Sequence, residues 1–243
     1  MTDEIIPRRK FLLGAGLAGT AVATGLAPDA PAPAQAQELA ATAAIAAADT
    51  QDATPRRFLN ESEHAFVVAA VDTMIPADEL SPSGSDCGVA VYIDRALASA
   101  WGGGAKMYRA GPFFKGKPEQ GYQLPLTPAE FVTAGIASAN EWSRKTYGKS
   151  FDQLDPDHRV EALKAMEEGK AEFENFSSRA FFVRLHALAM EGFFCDPIYG
   201  GNRNMVSWRM LGFPGLPAKY ANLVEKYRDK RYVAEPHSIA DFS

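Results

Sequence analysis

Helix punctuation recurs along this chain so regularly that it leaves little room for any fold but an α-helical one. Asn60 stands ahead of an apolar run lasting through Met74, Glu63 follows at the spacing of a reciprocal cap, and Pro76 closes the run. Thr127 opens a second segment with Pro128 in its first turn and Glu130 three residues after the cap, and Gly148 ends it. Asp155 to Gly169 repeats the same grammar. Val89, Ile93 and Leu97 lie four residues apart between Cys87 and Trp101, which predicts a further helix there. Two more are expected: one over Glu172–Phe194, with Phe176, Phe181, Leu185 and Leu188 at helical spacings, and one over Pro217–Arg228. Alternation of the strand type is nearly absent, so the expected fold class is all-α.

The long connector "GGGAKMYRAGPFFKGKPEQGYQLP", Gly102 to Pro125, carries glycine, lysine and aromatic residues but no periodicity. Loops of that length in a single helical domain commonly serve a partner or substrate.

At the other end of the chain, paired arginines Arg8 and Arg9 precede Lys10, Phe11 and Leu12 and an uncharged Ala/Gly/Leu run to Ala27. This pattern looks like a twin-arginine export signal, the route of proteins that cross the membrane already folded. The run is too short and too rich in small residues for a membrane span, and Ala34 to Ala36 offers small side chains for cleavage near Gln37. An uncleaved, anchoring signal is the alternative. The literal G-x-G-x-x-G from Gly14 to Gly19 follows no strand and lies in the segment to be removed, so it does not indicate a dinucleotide site. Residues 37–57 are mostly alanine with few large apolar side chains and read as a flexible leader. Removing residues 1–36 takes three basic and three acidic residues from the chain's 25 and 30, so the net charge stays at -5. That balance excludes a nucleic-acid partner, which needs a basic stripe.

Chemistry-bearing clusters are scarce. His64, His158, His186 and His237 fall on separate segments without ligand spacing, and His186, in an apolar helix, reads as a satisfied core histidine. No Cys-x-x-Cys-His haem motif, cysteine set for an iron–sulfur cluster or Gly-x-Ser-x-Gly elbow is present, and Gly102 to Gly104 lacks the Lys-Ser/Thr of a phosphate loop. Glu167, Glu168, Glu172 and Glu174 read as the solvated face of a helix. Export would place Cys87 and Cys195 in an oxidising compartment. An intrachain disulfide, closing a loop worth up to about 4–5 kcal/mol, competes there with two buried free thiols and with a bridge to a partner.

The stretch "DPIYGGNRNMVSWRMLGFPG", Asp196 to Gly215, is the densest in unusual residues. Gly200 and Gly201 open backbone conformations closed to other residues, Pro197, Pro214 and Pro217 stiffen the turns, and Tyr199, Trp208 and Phe213 supply large apolar faces. An interface for a partner and a role in the chain's own core are both compatible with that composition.

With "FLNESEHAFVVAAVDTMIP" and the twin-arginine signal upstream, this stretch resembles the gluconate 2-dehydrogenase subunit 3 family over roughly residues 58–228. The resemblance implies a small, non-catalytic subunit of a membrane-bound complex. In such complexes a large GMC-type subunit holds FAD and oxidises gluconate or a related sugar or polyol, and a cytochrome subunit with haem c passes electrons on. It implies no catalytic residue, cofactor or metal in this chain, and a role in folding the flavoprotein and exporting it to the periplasm through the twin-arginine machinery. The complex would lie peripheral to the inner membrane. Tyr199, Gly200, Gly201, Asn202, Trp208 and Phe213 become the candidate partner contacts. The expected organisation is a signal at 1–36, a leader at 37–57, a helical domain at 58–232 and a tail at 233–243. A stand-alone periplasmic enzyme or ligand-binding domain, with its site between the 102–125 and 196–215 loops, is the alternative.

Overall fold

The computed structural model describes residues 55–114, 116–117 and 120–242. The export signal, with Arg8, Arg9, Phe11 and Leu12, and the leader up to residue 54 lie outside the described residues. Helices build the domain: α1 Glu61–Met74, α2 Val89–Ala98, α3 Pro128–Tyr147, α4 Pro156–Glu167, α5 Ser178–Phe194 and a short α6 Val206–Leu211. Among the described residues strand-type pairing is confined to one isolated bridge, between Gly215 and His237. The all-α expectation therefore holds.

The caps form as their sequence implies. Asn60 Oδ1 accepts from Glu63 N at 2.9 Å while Glu63 Oε2 accepts from Asn60 N at 2.9 Å, and Thr127 and Glu130 make the same reciprocal pair at 3.2 and 2.7 Å. Each pair satisfies two amide donors that a helix start would otherwise leave open. The backbone and side-chain hydrogen bonds from Thr127 hold the Glu130 carboxyl below its ordinary pKa. Asp155 caps α4 by accepting from His158 N at 3.1 Å, and Gly148 ends α3 in the left-handed region at φ 78°.

α5 lies at the centre, packed against α2, α3 and α4, while α1 covers the same core and rests on the turn Phe151–Gln153. The core is aromatic: Phe66, Phe131, Phe151, Phe181 and Phe193 are all fully buried, and the Phe66 ring lies 4.8 Å from Phe151 and 6.1 Å from Phe181. Each such side chain contributes about 1.5–3 kcal/mol by leaving water. Gly135 on α3 lets Phe181 of α5 close in, because a Cβ there would stand 2.0 Å from the ring. The start of the described chain is tied down by the buried Asp94, whose carboxylate accepts from Arg57 N, Phe58 N and Leu59 N at 2.7, 3.0 and 2.8 Å.

Local expectations fail at four places. Pro217–Arg228 forms turns in place of a helix: Leu223 N bonds Tyr220 O and Tyr227 N bonds Leu223 O, but Val224 is exposed and no residue of the segment is buried. A helix that short without a buried face is marginal in water. Phe176 precedes α5, where it packs on Phe131 at 4.8 Å. His186 is exposed on α5 and stacks on Phe182, so it is not a core histidine. Glu167, Glu168, Glu172 and Glu174 are all exposed as expected, but only Glu167 lies within α4.

Candidate functional site

The Asp196–Gly215 stretch resolves into a turn at Pro197–Tyr199, a second turn at Arg203–Met205 and α6. Its backbone is fixed at its start and near its middle. Asp196 Oδ1 accepts from Ile198 N at 3.0 Å and its Oδ2 from Ile239 N at 2.8 Å, while Arg203 N donates to Cys87 O at 3.0 Å, stitching the loop to the segment that leads into α2. Gly200 adopts φ 102°, where a side chain is strained. At Gly201 a Cβ would stand 2.0 Å from Gly192 O, so only glycine lets the loop lie against the end of α5.

Asn202 organises the interior of the loop. It is fully buried at φ 45°, donates from Nδ2 to Cys195 O at 2.9 Å, and accepts at Oδ1 from Ser207 N at 3.0 Å and Ser207 Oγ at 2.8 Å. Left-handed backbone is tolerated by asparagine, and its amide oxygen satisfies both the amide and the hydroxyl of the facing serine. Trp208 is 7% exposed, donates from Nε1 to Phe194 O at 2.9 Å and meets Phe213 edge-on at 5.2 Å. Gly201, Asn202 and Trp208 therefore shape the loop from inside the chain. Tyr199 and Phe213, 55% and 43% exposed, face outward together with Ile198 and Leu211. The six candidate contacts are thus split between the interior and the surface.

Cys87 and Cys195 are both free thiols in the structure, in place of the intrachain bridge that spacing and compartment allowed. Each sulfur turns to a carbonyl of its own neighbourhood, Cys87 Sγ to Pro82 O at 3.7 Å and Cys195 Sγ to Gly192 O at 3.3 Å. Burial pushes the Cys87 thiol up to about 12 and the Cys195 thiol up to about 11.

The connector after α2 divides in the same manner. Tyr122 folds inward, stacked on Phe131 at 4.0 Å with its hydroxyl donating to Leu126 O at 3.3 Å, and its burial raises the phenol's pKa. Tyr108, Phe113 and Phe114 stay at the surface, Tyr108 78% exposed. Trp101 joins this connector to the 196–215 loop: it borders a cleft of about 370 Å³ shared with Tyr199 and Tyr92 and a second of about 310 Å³ shared with Tyr108 and Phe113. The sequence reading passed over Trp101, Arg95 and Arg184. Each looks ordinary in its own segment, and only packing brings α2, α5 and the two loops together.

Among the described residues no group of three or more His, Cys, Asp or Glu side chains is placed to hold a metal ion, and no helix is long and apolar enough to cross a membrane. No curated protein and no solved structure matches the chain. The family model described as gluconate 2-dehydrogenase subunit 3 matches residues 61–215, from the first residue of α1 to the glycine that ends the aromatic loop. On that match, over well above half its length, the chain belongs to the gluconate 2-dehydrogenase subunit 3 family.

Proposed function

We propose that this chain is the non-catalytic small subunit of a dehydrogenase complex whose large, GMC-type subunit holds FAD and oxidises gluconate or a related sugar or polyol. In this reading the chain supports folding of the flavoprotein and carries it to the periplasm by the twin-arginine route. A cytochrome with haem c completes the complex and keeps it at the inner membrane. The observation that carries the reading is the family match across the whole helical domain, 61–215. The outward apolar side chains of a loop whose inner side is fully hydrogen-bonded suit it, since such a surface is ready to meet a protein. Arg8 and Arg9 suit it too, because a partner that must acquire its flavin before crossing needs an exporter of folded proteins.

The test is a gentle affinity pull-down of the tagged full chain from its own cells, read for co-eluting chains and for flavin and haem absorbance. A flavin-bearing dehydrogenase in the eluate is expected; a colourless single chain, or sugar oxidation by the purified chain alone, would overturn the proposal. Arg8→Lys with Arg9→Lys is expected to hold both this chain and the flavoprotein in the cytoplasm. A periplasmic flavoprotein in that strain would contradict the carrier role.

A further inference from the structure

Two arginines flank Trp101 and neither forms an ion pair among the described residues. Arg95 on α2 borders the 370 Å³ cleft, its Nε is buried with no hydrogen-bond acceptor, and no carboxylate forms an ion pair with its guanidinium. Glu191 brings a carboxylate to the same cleft, but that carboxylate accepts from the Tyr92 hydroxyl at 3.1 Å and forms no ion pair with Arg95. Arg184 on α5 lies with its guanidinium carbon 5.8 Å from the centre of the Trp101 ring and reaches the second cleft, again without an ion pair. Ion pairs form elsewhere on the chain at exposed sites, such as Lys145 with Glu141 and Arg228 with Glu225. In a protein of net charge -5, two partly buried cations beside one indole, with Glu191 the one carboxylate lining the two clefts, leave a local excess of positive charge against the sign of the whole.

Exposed aromatic surface surrounds them. Trp101 is 37% exposed, Tyr199 borders one cleft, and Tyr108 and Phe113 border the other. Trp, Tyr and Arg are the side chains that dominate binding energy at protein interfaces, and an arginine already lying over an aromatic face is oriented for two-pronged recognition of a carboxylate. A purely apolar occupant would leave Arg95 Nε unsatisfied and desolvate Arg184 without compensation.

We propose that the Trp101 face is the docking surface for the flavin-bearing large subunit. It receives a segment of that subunit carrying aspartate or glutamate side chains, which pair with Arg95 and Arg184 while apolar neighbours cover Trp101, Tyr108 and Tyr199. The assignment rests on the subunit reading above and adds to it the surface and the chemistry of its occupant. A second copy of this chain or an anionic lipid surface is the competing occupant. The lipid would use the arginines but gain little from two narrow aromatic-lined clefts.

The experiment compares the tagged full chain with Arg95→Gln plus Arg184→Gln, and with Arg95→Lys plus Arg184→Lys, in cells that make the whole complex. Flavin retained on the affinity resin is read through stepwise salt washes. The glutamine pair is expected to retain at least about tenfold less flavoprotein, and the lysine pair an intermediate amount, because lysine keeps the charge but not the planar fork. In parallel, Tyr108→p-benzoylphenylalanine in the otherwise unchanged chain is photocrosslinked. The expected product joins it to the flavoprotein within a few residues of an aspartate or glutamate. Its readout does not depend on the arginine variants folding. If the unchanged chain retains no flavoprotein, the subunit reading itself fails. If it retains the flavoprotein and the glutamine pair retains just as much, the surface assigned here is wrong and the subunit reading stands. A crosslink to a second copy, or arginine-dependent sedimentation with phosphatidylglycerol vesicles alongside unchanged assembly, overturns the occupant.

Discussion

Asn202→Ala removes the side chain that holds the interior of the aromatic loop, and the structure sets the size of the loss. Cys195 O loses its donor, and Ser207 N and Oγ lose their acceptor, in surroundings where Asn202 and Ser207 are both fully buried. An orphaned buried group costs about 1–3 kcal/mol, though the serine hydroxyl is free to rotate elsewhere. Alanine at φ 45° adds about 1–2 kcal/mol of left-handed strain that asparagine bears more easily. The expected destabilisation is therefore about 4 kcal/mol. For a domain of this size that is roughly 8–16 °C in melting temperature, at about 2–4 °C per kcal/mol. The assay is urea and thermal unfolding of the mature chain followed by far-ultraviolet circular dichroism. Asn202→Asp makes the test sharper, because it keeps both acceptor bonds to Ser207 and sets a second oxygen against Cys195 O. The folded state then favours the protonated acid, which donates to that carbonyl, and the folded pKa rises above the unfolded value of about 3.9. Stability is fully present below the unfolded value and lost as pH rises through the folded one, by about 1.36 kcal/mol for each unit of elevation. If Asn202→Ala costs less than about 1 kcal/mol, or Asn202→Asp shows the wild-type pH dependence between pH 5 and 7.5, the claim that this amide organises the loop is refuted.

Trp208→Ala should lower stability of the isolated chain by about 3–5 kcal/mol, since the ring is buried and its Nε1–H leaves Phe194 O unpaired; unchanged unfolding of the isolated chain would return Trp208 to the list of partner contacts. Gly135→Ala drives a methyl to 2.0 Å from the Phe181 ring and should cost about 1–3 kcal/mol in the same unfolding assay, with no cost indicating that α3 and α5 separate freely. Cys87, with its thiol pushed up to about 12, and Cys195, up to about 11, should resist iodoacetamide at pH 8 in the native chain and react once it is unfolded in urea, because only the thiolate attacks. Rapid native labelling would show that the thiols are not held as described.

What was legible in the sequence was whatever is decided within one turn of helix. Asn60 with Glu63 and Thr127 with Glu130 are local pairs, and the structure forms both. The Pro217–Arg228 helix failed for the converse reason: its spacing is helical, but stability needs a neighbour to cover the apolar side, and no residue of the segment is buried. Spacing placed Cys87 and Cys195 far apart in the chain and carried no information on where each sulfur points. The aromatic loop was undecidable by composition, because a ring that fills a core and a ring that meets a partner are the same residue type. Trp208 becomes interior through Phe194 O and Tyr199 exterior through the turn at Gly200, and both depend on where the end of α5 lies. The Arg95, Trp101 and Arg184 grouping crosses α2, a loop and α5, so no window of sequence contains it.

The division of the 196–215 loop into a satisfied inside and an apolar outside has an energetic consequence for docking. A loop that ordered only on meeting its partner would lose conformational entropy at that moment, weakening association for the same contact area. Here Asn202, Trp208 and the close approach of Gly201 to Gly192 hold the backbone within the chain itself, so the placement of Tyr199 beside Trp101 is set before any partner arrives. If the proposed docking holds, stability of the isolated chain and affinity for the large subunit are coupled through one buried amide. The Asn202→Ala chain should lose flavoprotein retention even at temperatures where it remains folded, whereas Gly135→Ala, which strains the core at a position lining neither Trp101 cleft, should not. Equal retention by the two variants when matched for stability would mean that preorganisation of the loop contributes nothing to docking.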